Sequence, residues 1–388
     1  MTFFFMIPAL SLLAKLWHSF IERLCQLELF SVNVMNKLYS SALTCLVALL
    51  LSACASSVHI RALAPAAVPM PASLQSVATA NRIMPESRRD KFFDVLEGAF
   101  TGEGVGVDRA GADECVNVVG QALANNSYRF RVTQAQLQLL GRSREFFLPP
   151  LAPRYVQDLC RRTQVDGLVV LEAFDSDMLL THTNGTRTVK DKEGKEYQVP
   201  TVHVEMVMKI VTGFRTYGAA QGFVLDQARQ EEQLVFTGNG DSYPAALRQL
   251  PPPEECIRRV AQRAGDGYAR RIAPSYINLN RDYFTAAKKD ILMKQAAVRA
   301  DAADWQGAAA LWQQAAKNLN PKIAGRAFYN LAVASEVRGD LPGAIDWAKK
   351  SAYTCNNGQA KNYLLILNNR LRAQELVQEQ LKSVPGTN

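Results

Sequence analysis

Two features of this sequence have residue types and spacings suited to chemistry: a short acidic run, and a cysteine that closes an apolar stretch. The acidic run, Glu172-Ala173-Phe174-Asp175-Ser176-Asp177, sets two aspartates two positions apart. On a strand, residues i and i+2 share a face, so Asp175 and Asp177 could offer oxygen ligands together to a hard cation. Calcium loops bring more oxygens and a glycine at a set position, and both are missing from this run. The pair therefore reads as a solvated strand end. His182 and His203 add no spacing typical of a metal site. Glycoside hydrolysis would need paired carboxylates, with Glu103 set against Asp175 or Asp177, and no pattern brings them together. The loop Gly98 to Gly106 is rich in glycine, but no Gly-Lys-Ser/Thr follows and Rossmann spacing is missing. Neither Gly-x-Ser-x-Gly nor His-Glu-x-x-His occurs. The expectation is no catalytic, cofactor-binding or metal residue, and a chain that is not an enzyme.

The cysteine is Cys54. Before it, residues 42–51 are apolar apart from Thr44, and Met35-Asn36-Lys37-Leu38-Tyr39 carries a single positive charge. A charged start, a short apolar core and small residues before a cut describe a secretory signal peptide over 35–53. The apolar run falls short of the ~20 residues a spanning helix needs. Leu51-Ser52-Ala53-Cys54 resembles the lipobox of bacterial lipoproteins. That resemblance implies a diacylglycerol on the Cys54 thiol, cleavage before it and acylation of the new amino group. One acyl chain holds a protein only marginally, so several chains imply a stable anchor. Residues 1–34 precede a complete signal and read as an over-long gene start. Ala55 replaces the aspartate that retains some lipoproteins at the inner membrane, so outer-membrane sorting, facing the periplasm, is expected.

Composition limits the remaining choices. The chain has 388 residues, 48% of them hydrophobic and 21% charged, which is ordinary for globular domains. The net charge of +8 is spread out, with no block of five like charges, so no nucleic-acid tail is expected. Of seven cysteines, Cys25 and Cys45 fall before Cys54, and Cys115, Cys160, Cys256 and Cys355 follow it, widely spaced. None forms Cys-x-x-Cys, so buried free thiols are expected, with disulfide pairing left open.

Residues 54–76 are rich in Ala, Pro and Ser and read as a flexible tether. A first strand is predicted from Ala78, a helix from Asp108 or Gly111, and a strand through Tyr128, Phe130 and Val132. Tyr155, Val156, Leu159 and Cys160 stripe a second helix. Leu168-Val169-Val170-Leu171 reads as a strand buried on both faces, at the centre of the sheet. Val202 to Ile210 alternates cleanly, and the stretch from Phe223 to Phe236 returns as its antiparallel neighbour. Glu254 and Glu255 open a helix that Pro274 stops, and Ile277 and Leu279 form a last strand. This is one α/β domain, 77–283, on a mixed sheet.

From 284 to 388 the chain reads as helix. Asp304-Trp305-Gln306-Gly307-Ala308 and Gly339-Asp340-Leu341-Pro342-Gly343-Ala344 repeat in form about 36 residues apart, near the tetratricopeptide period of ~34. Tryptophans Trp312 and Trp347 are expected between helix pairs, with 361–381 as a capping helix. The predicted class is therefore α+β: a mixed α/β sheet domain followed by an all-α tetratricopeptide-like (TPR-like) domain.

Asn81-Arg82, Thr101-Gly102-Glu103, Asp166-Gly167, Leu171 through Asp177, and Tyr268-Ala269-Arg270-Arg271-Ile272-Ala273-Pro274 together resemble an uncharacterised family of Gram-negative lipoproteins. That family implies an α/β domain followed by tetratricopeptide-like helices, and no known activity. The element order is also similar to lipoproteins that activate penicillin-binding proteins and to curli-secretion lipoproteins, at the level of fold alone. The expected function is a membrane-anchored binding or scaffold module for an envelope protein. The alternative is an envelope hydrolase acting on cell-wall glycan. Expected partners are membrane lipid, through acylated Cys54, and a protein held by the helical repeat.

Overall fold

A computed structural model describes residues 55–83, 107–126, 129–134, 146–285 and 290–382. Cys54, the signal segment, residues 1–34, the glycine-rich loop and Glu103 lie outside the described residues. The order is β1 (Ala55–Ala64), β2 (Ser76–Asn81), α1 (Val107–Asn126), β3 (Arg131–Gln134), α2 (Pro153–Thr163), β4 (Gly167–Lys190), β5 (Glu196–Gly218), β6 (Val224–Gly240), α3 (Tyr243–Leu247), α4 (Pro253–Ile272) and β7 (Ser275–Phe284). Helices α5 (Ile291–Asp301), α6 (Trp305–Ala315), α7 (Pro321–Val337) and α8 (Leu341–Lys349) follow, then a π-turn at Lys350–Thr354 and α9 (Gly358–Lys382). The expected class holds: a mixed sheet-and-helix region precedes an all-helical one.

The five-stranded sheet runs β3-β2-β4-β5-β6, so the apolar run of β4 does lie at its centre. β2 pairs in parallel with both β3 and β4, whereas β4, β5 and β6 are antiparallel. Val169 and Leu171 point to one core, and Leu168 and Val170 point to the other. Helices α1 and α4 supply the first core, through Val116, Val119 and Leu123 and through Ile257, Val260 and Ala264. Helix α2 supplies the second through Val156, Leu159 and Cys160. Each valine, leucine and isoleucine among them contributes about 1.5–3 kcal/mol when fully buried. Where α1 and α4 cross, a Cβ on Gly265 would stand 2.5 Å from the Cys115 carbonyl oxygen, so the close approach requires glycine. Glu254 and Glu255 in the first turn of α4, with Arg270 and Arg271 in its last, complement the helix dipole.

Several expectations are corrected. Residues 55–64 are not tether: they form β1, which pairs with β7 in a separate two-stranded sheet. Ile60 and Ala62 are buried between exposed His59 and Arg61, a period-two pattern that composition alone concealed. Met70 and Leu74, also in the supposed tether, join the first core. β7 correspondingly stands outside the main sheet. The run through Asp175 and Asp177 is not a strand end, since β4 continues to Lys190.

The described chain divides into two compact units, one of 59–279 with 366–382, the other of 280–365 with 55–58. Most of the expected capping helix, from Ile366 onward, belongs with the sheet unit. There Gln380 Oε1 accepts from Ala66 N at 2.9 Å, and its Nε2 donates to Ala66 O at 3.1 Å.

In the helical unit the two repeated segments are capped alike. Asp304 and Asp340 each accept from the backbone N–H three residues on, Gly307 at 2.8 Å and Gly343 at 2.9 Å. Such a cap contributes about 1 kcal/mol. The tryptophans are not equivalent: Trp312 is fully buried, whereas Trp347 is half-buried and stacks on Phe328. No helix among the described residues is long and apolar enough to cross a membrane.

Candidate functional site

The most elaborate polar centre of the sheet unit surrounds Glu172, whose carboxylate is wholly buried. It owes its position to a β-bulge. The β4–β5 register shifts between Leu171 and Ala173, so Glu172 has no directly opposed partner. The extra residue reverses the inward face of β4. Before the bulge Val169 and Leu171 face the first core; after it Phe174 and Met178 do. Glu172 thus lies with Leu168 and Val170 on the α2 side, the side of Arg215 and Tyr217 from β5.

Glu172 Oε2 accepts from Arg82 Nη1 at 2.9 Å and from Arg215 Nη1 at 3.0 Å. Its Oε1 accepts from the Tyr217 hydroxyl at 2.5 Å. Both arginines also donate to main-chain carbonyls: Arg82 to Pro149 O at 2.8 Å, Arg215 to Leu148 O at 2.6 Å. Arg215 Nε donates to Gln227 Oε1 at 2.7 Å, and its guanidinium lies 4.8 Å from the Phe147 ring centroid. Leu151 N donates to the Tyr217 hydroxyl at 3.3 Å. Burial, then the neighbouring Glu172 carboxylate, pushes the Tyr217 phenol up to about 12, so it keeps the proton that it donates. Arg82 Nε is buried without a hydrogen-bond partner among the described residues.

Chemically this is a clamp. One carboxylate joins the end of β2, the bulge of β4 and the last residues of β5, while the two guanidinium groups hold the carbonyls of 148 and 149 and Tyr217 holds Leu151 N against the sheet. Removing the carboxylate would leave two buried cations, an expensive arrangement. The other face carries a smaller relative. Asp226 accepts two bonds from Arg271, each at 2.9 Å, and one from Tyr268 OH at 3.2 Å. Tyr268 also shares a 2.8 Å bond with Thr216 and stacks on Phe214 at 4.3 Å between centroids.

The residues weighed from sequence are not gathered here. Asp175 and Asp177 do share a face of β4, opposite Val211 and Lys209 on β5, with Asp175 half-buried and Asp177 exposed. His182 and His203 lie on opposite faces: His182 pairs with Val204, His203 with Thr183. His182 packs 5.0 Å from the Tyr243 ring centroid, and His203 Nδ1 lies 2.8 Å from Asn239 Oδ1. Among the described residues no group of three or more His, Cys, Asp or Glu stands together as metal ligands. Cys115, Cys160 and Cys256 are buried and Cys355 half-buried, all as free thiols. Burial pushes the Cys160 and Cys256 thiols up to about 11, far from the thiolate form.

Sequence reasoning passed over Glu172 as a site. The available signal was a lone acid continuous with four apolar strand residues. An acid there must meet a cation, but the two that meet it are 90 and 43 positions away.

No curated protein matches this chain. A dodecameric PelC variant from Paraburkholderia phytofirmans is similar over 56% of this chain and 99% of its own, at 10% identity and a TM-score of 0.22. That likeness is too slight to bear on the fold. Residues 294–369 match a second family model, Domain of unknown function (DUF6340). Residues 74–284, which hold the sheet and the Glu172 clamp, match the family described as Domain of unknown function (DUF8603), and the chain belongs to that family.

Proposed function

We propose that this protein is a membrane-anchored envelope lipoprotein that binds a protein partner through a tetratricopeptide-like helical repeat. The observation that carries the reading is the repeated cap, Asp304 to Gly307 and Asp340 to Gly343, which starts two helices in the same way. Successive helices α5 to α8 pack each on the next, as stacked helical repeats do, and such arrays offer extended binding surfaces. On α5, Ile291 and Val298 are 68% and 69% exposed and stand seven residues apart, on one helix face. The anchor rests on the lipobox-like Leu51-Ser52-Ala53-Cys54 and the signal pattern before it. Outer-membrane sorting follows from Ala55.

Two measurements test the parts separately. In membrane fractionation the wild-type protein stays with the outer membrane, and Cys54→Ser moves it to the soluble envelope fraction; a variant that remains in the pellet contradicts the anchor. Cross-linked affinity capture from the native envelope recovers a specific protein with the wild type and loses it with Ile291→Asp/Val298→Asp. No enrichment over an anchored control protein contradicts the binding role.

A further inference from the structure

Among the described residues, the long strand β4 leaves an edge open. On its β2 side the last registered pair is Asn81 with Leu171, and among the described strands none pairs with β4 beyond it. From Thr181 to Thr188 every residue is exposed, and Leu179 is 61% exposed. On the far side, β6 stops pairing with β5 at Val202, so Gly185–Lys190 and Glu196–Thr201 stand as a bare two-stranded ribbon. A long open edge presents unpaired N–H and C=O groups and templates pairing with another strand.

The side chains along this edge complement themselves. Exposed Asp177 stands near one end and exposed Arg187 near the other. Two copies joined edge to edge by a two-fold axis run antiparallel, and that axis stands perpendicular to the sheet. It keeps each face on its own side, so opposed residues must have the same parity. Asp177 can therefore oppose Arg187 but not Lys190, which in any case pairs with Glu196 at 3.1 Å. Setting Asp177 against Arg187 puts His182 on the axis, facing itself, and Thr181 opposite Thr183. Opposite charges and Thr–Thr pairs are favourable cross-strand neighbours.

We propose that the edge of β4 from Asp177 to Arg187 is a homodimer interface, in which two copies of this chain join their sheets antiparallel about His182. The occupant is a second copy because exposed Asp177 and exposed Arg187 oppose each other in a register of the correct parity, whereas Asp175, which shares that parity, is half-buried. The inference is independent of the lipid anchor and of the helical repeat.

Directly opposed residues of an antiparallel pair have Cα atoms about 4.5–5.5 Å apart, within disulfide reach. Only a residue on the axis meets its own copy. In the full chain with Cys25→Ser, Cys45→Ser, Cys54→Ser and Cys355→Ser, His182→Cys forms a disulfide-linked dimer under mild oxidation. Thr188→Cys, equally exposed on the same face, does not. In sedimentation equilibrium the Cys54→Ser protein is a dimer. Arg187→Asp weakens it at least tenfold, Asp177→Arg does the same, and the double exchange restores it. A chain that is monomeric throughout, a dimer indifferent to both charge changes, cross-linking equal at 182 and 188, or an unrelated strand captured on this edge of a monomer would each overturn the proposal.

Discussion

Each unit of this protein buries a glutamate against arginine and tyrosine, and the two centres solve the same problem differently. In the sheet unit, Glu172 takes two arginines end-on and one tyrosine, and both arginines continue to backbone carbonyls. In the helical unit, among the described residues, Glu336 takes Arg281 side-on. Arg281 Nε donates to Oε2 at 2.8 Å and Nη2 to Oε1 at 3.0 Å, and the Tyr363 hydroxyl also donates to Oε2. The side-on pair is a planar fork that cancels one charge with one. The end-on arrangement leaves one cation in excess; the carbonyls of 148 and 149 accept from the same Nη1 atoms that reach Glu172, and Arg82 Nε keeps no hydrogen-bond partner among the described residues. The lesson concerns reach: two arginines fasten a loop as well as a strand, whereas one fork joins β7 to α7.

The comparison breaks most visibly if either carboxylate is neutralised. Glu172→Gln strands two buried guanidinium groups and should cost about 3–5 kcal/mol. Glu336→Gln strands one and should cost about 3 kcal/mol, at the lower end of the same range. Urea unfolding of both variants checks the order, and equal losses would remove the distinction drawn between the centres.

Alkaline pH sharpens the comparison. The Tyr217 phenol is raised from 10 to about 12 in the folded protein. A raised folded value means a contribution fully present below pH 10 and lost as pH climbs from 10 toward 12. Tyr217→Phe should cost about 2 kcal/mol at pH 7, because a bond to a charged group disappears. It should also flatten the loss of stability between pH 10 and 12. Unfolding midpoints at pH 8, 10 and 11.5 test this.

The smallest expected effect has the opposite sign. Ala303 and Gly339 precede the two capping aspartates at equivalent places, with φ of 61° and 82°. Left-handed backbone costs a non-glycine residue about 1–2 kcal/mol, offset in part by the greater unfolded-state freedom of glycine. Ala303→Gly should therefore stabilise the helical unit by about 0.5–1 kcal/mol. Thermal unfolding measures it, and a lower midpoint would show that the repeats are not equivalent there.

Much of the architecture was legible because it is local. The apolar run at 168–171, the alternation at 202–210, the acid-led start of α4 and the repeated Asp-x-x-Gly each follow from neighbours within a few residues. What sequence hid was set at a distance. β1 looked like tether because Pro65, Pro69 and Pro71 coloured the whole stretch, although no proline falls within 55–64, and its partner β7 lies some two hundred positions on. The Glu172 clamp needs Arg82, Arg215 and a one-residue bulge, and no window of sequence contains all three. The family match at 74–284 fits the extent of that long-range network.

The central claim is that Glu172, through Arg82, Arg215 and Tyr217, holds the sheet unit together. Hydrogen exchange across the wild-type and Glu172→Gln proteins tests it most directly, since it reports local opening segment by segment. The account predicts faster exchange in the variant at Leu151, at Arg82 and across 168–171, with the amides of α7 and α8 unchanged. Unaltered protection at those positions, together with loss of partner capture, would contradict it.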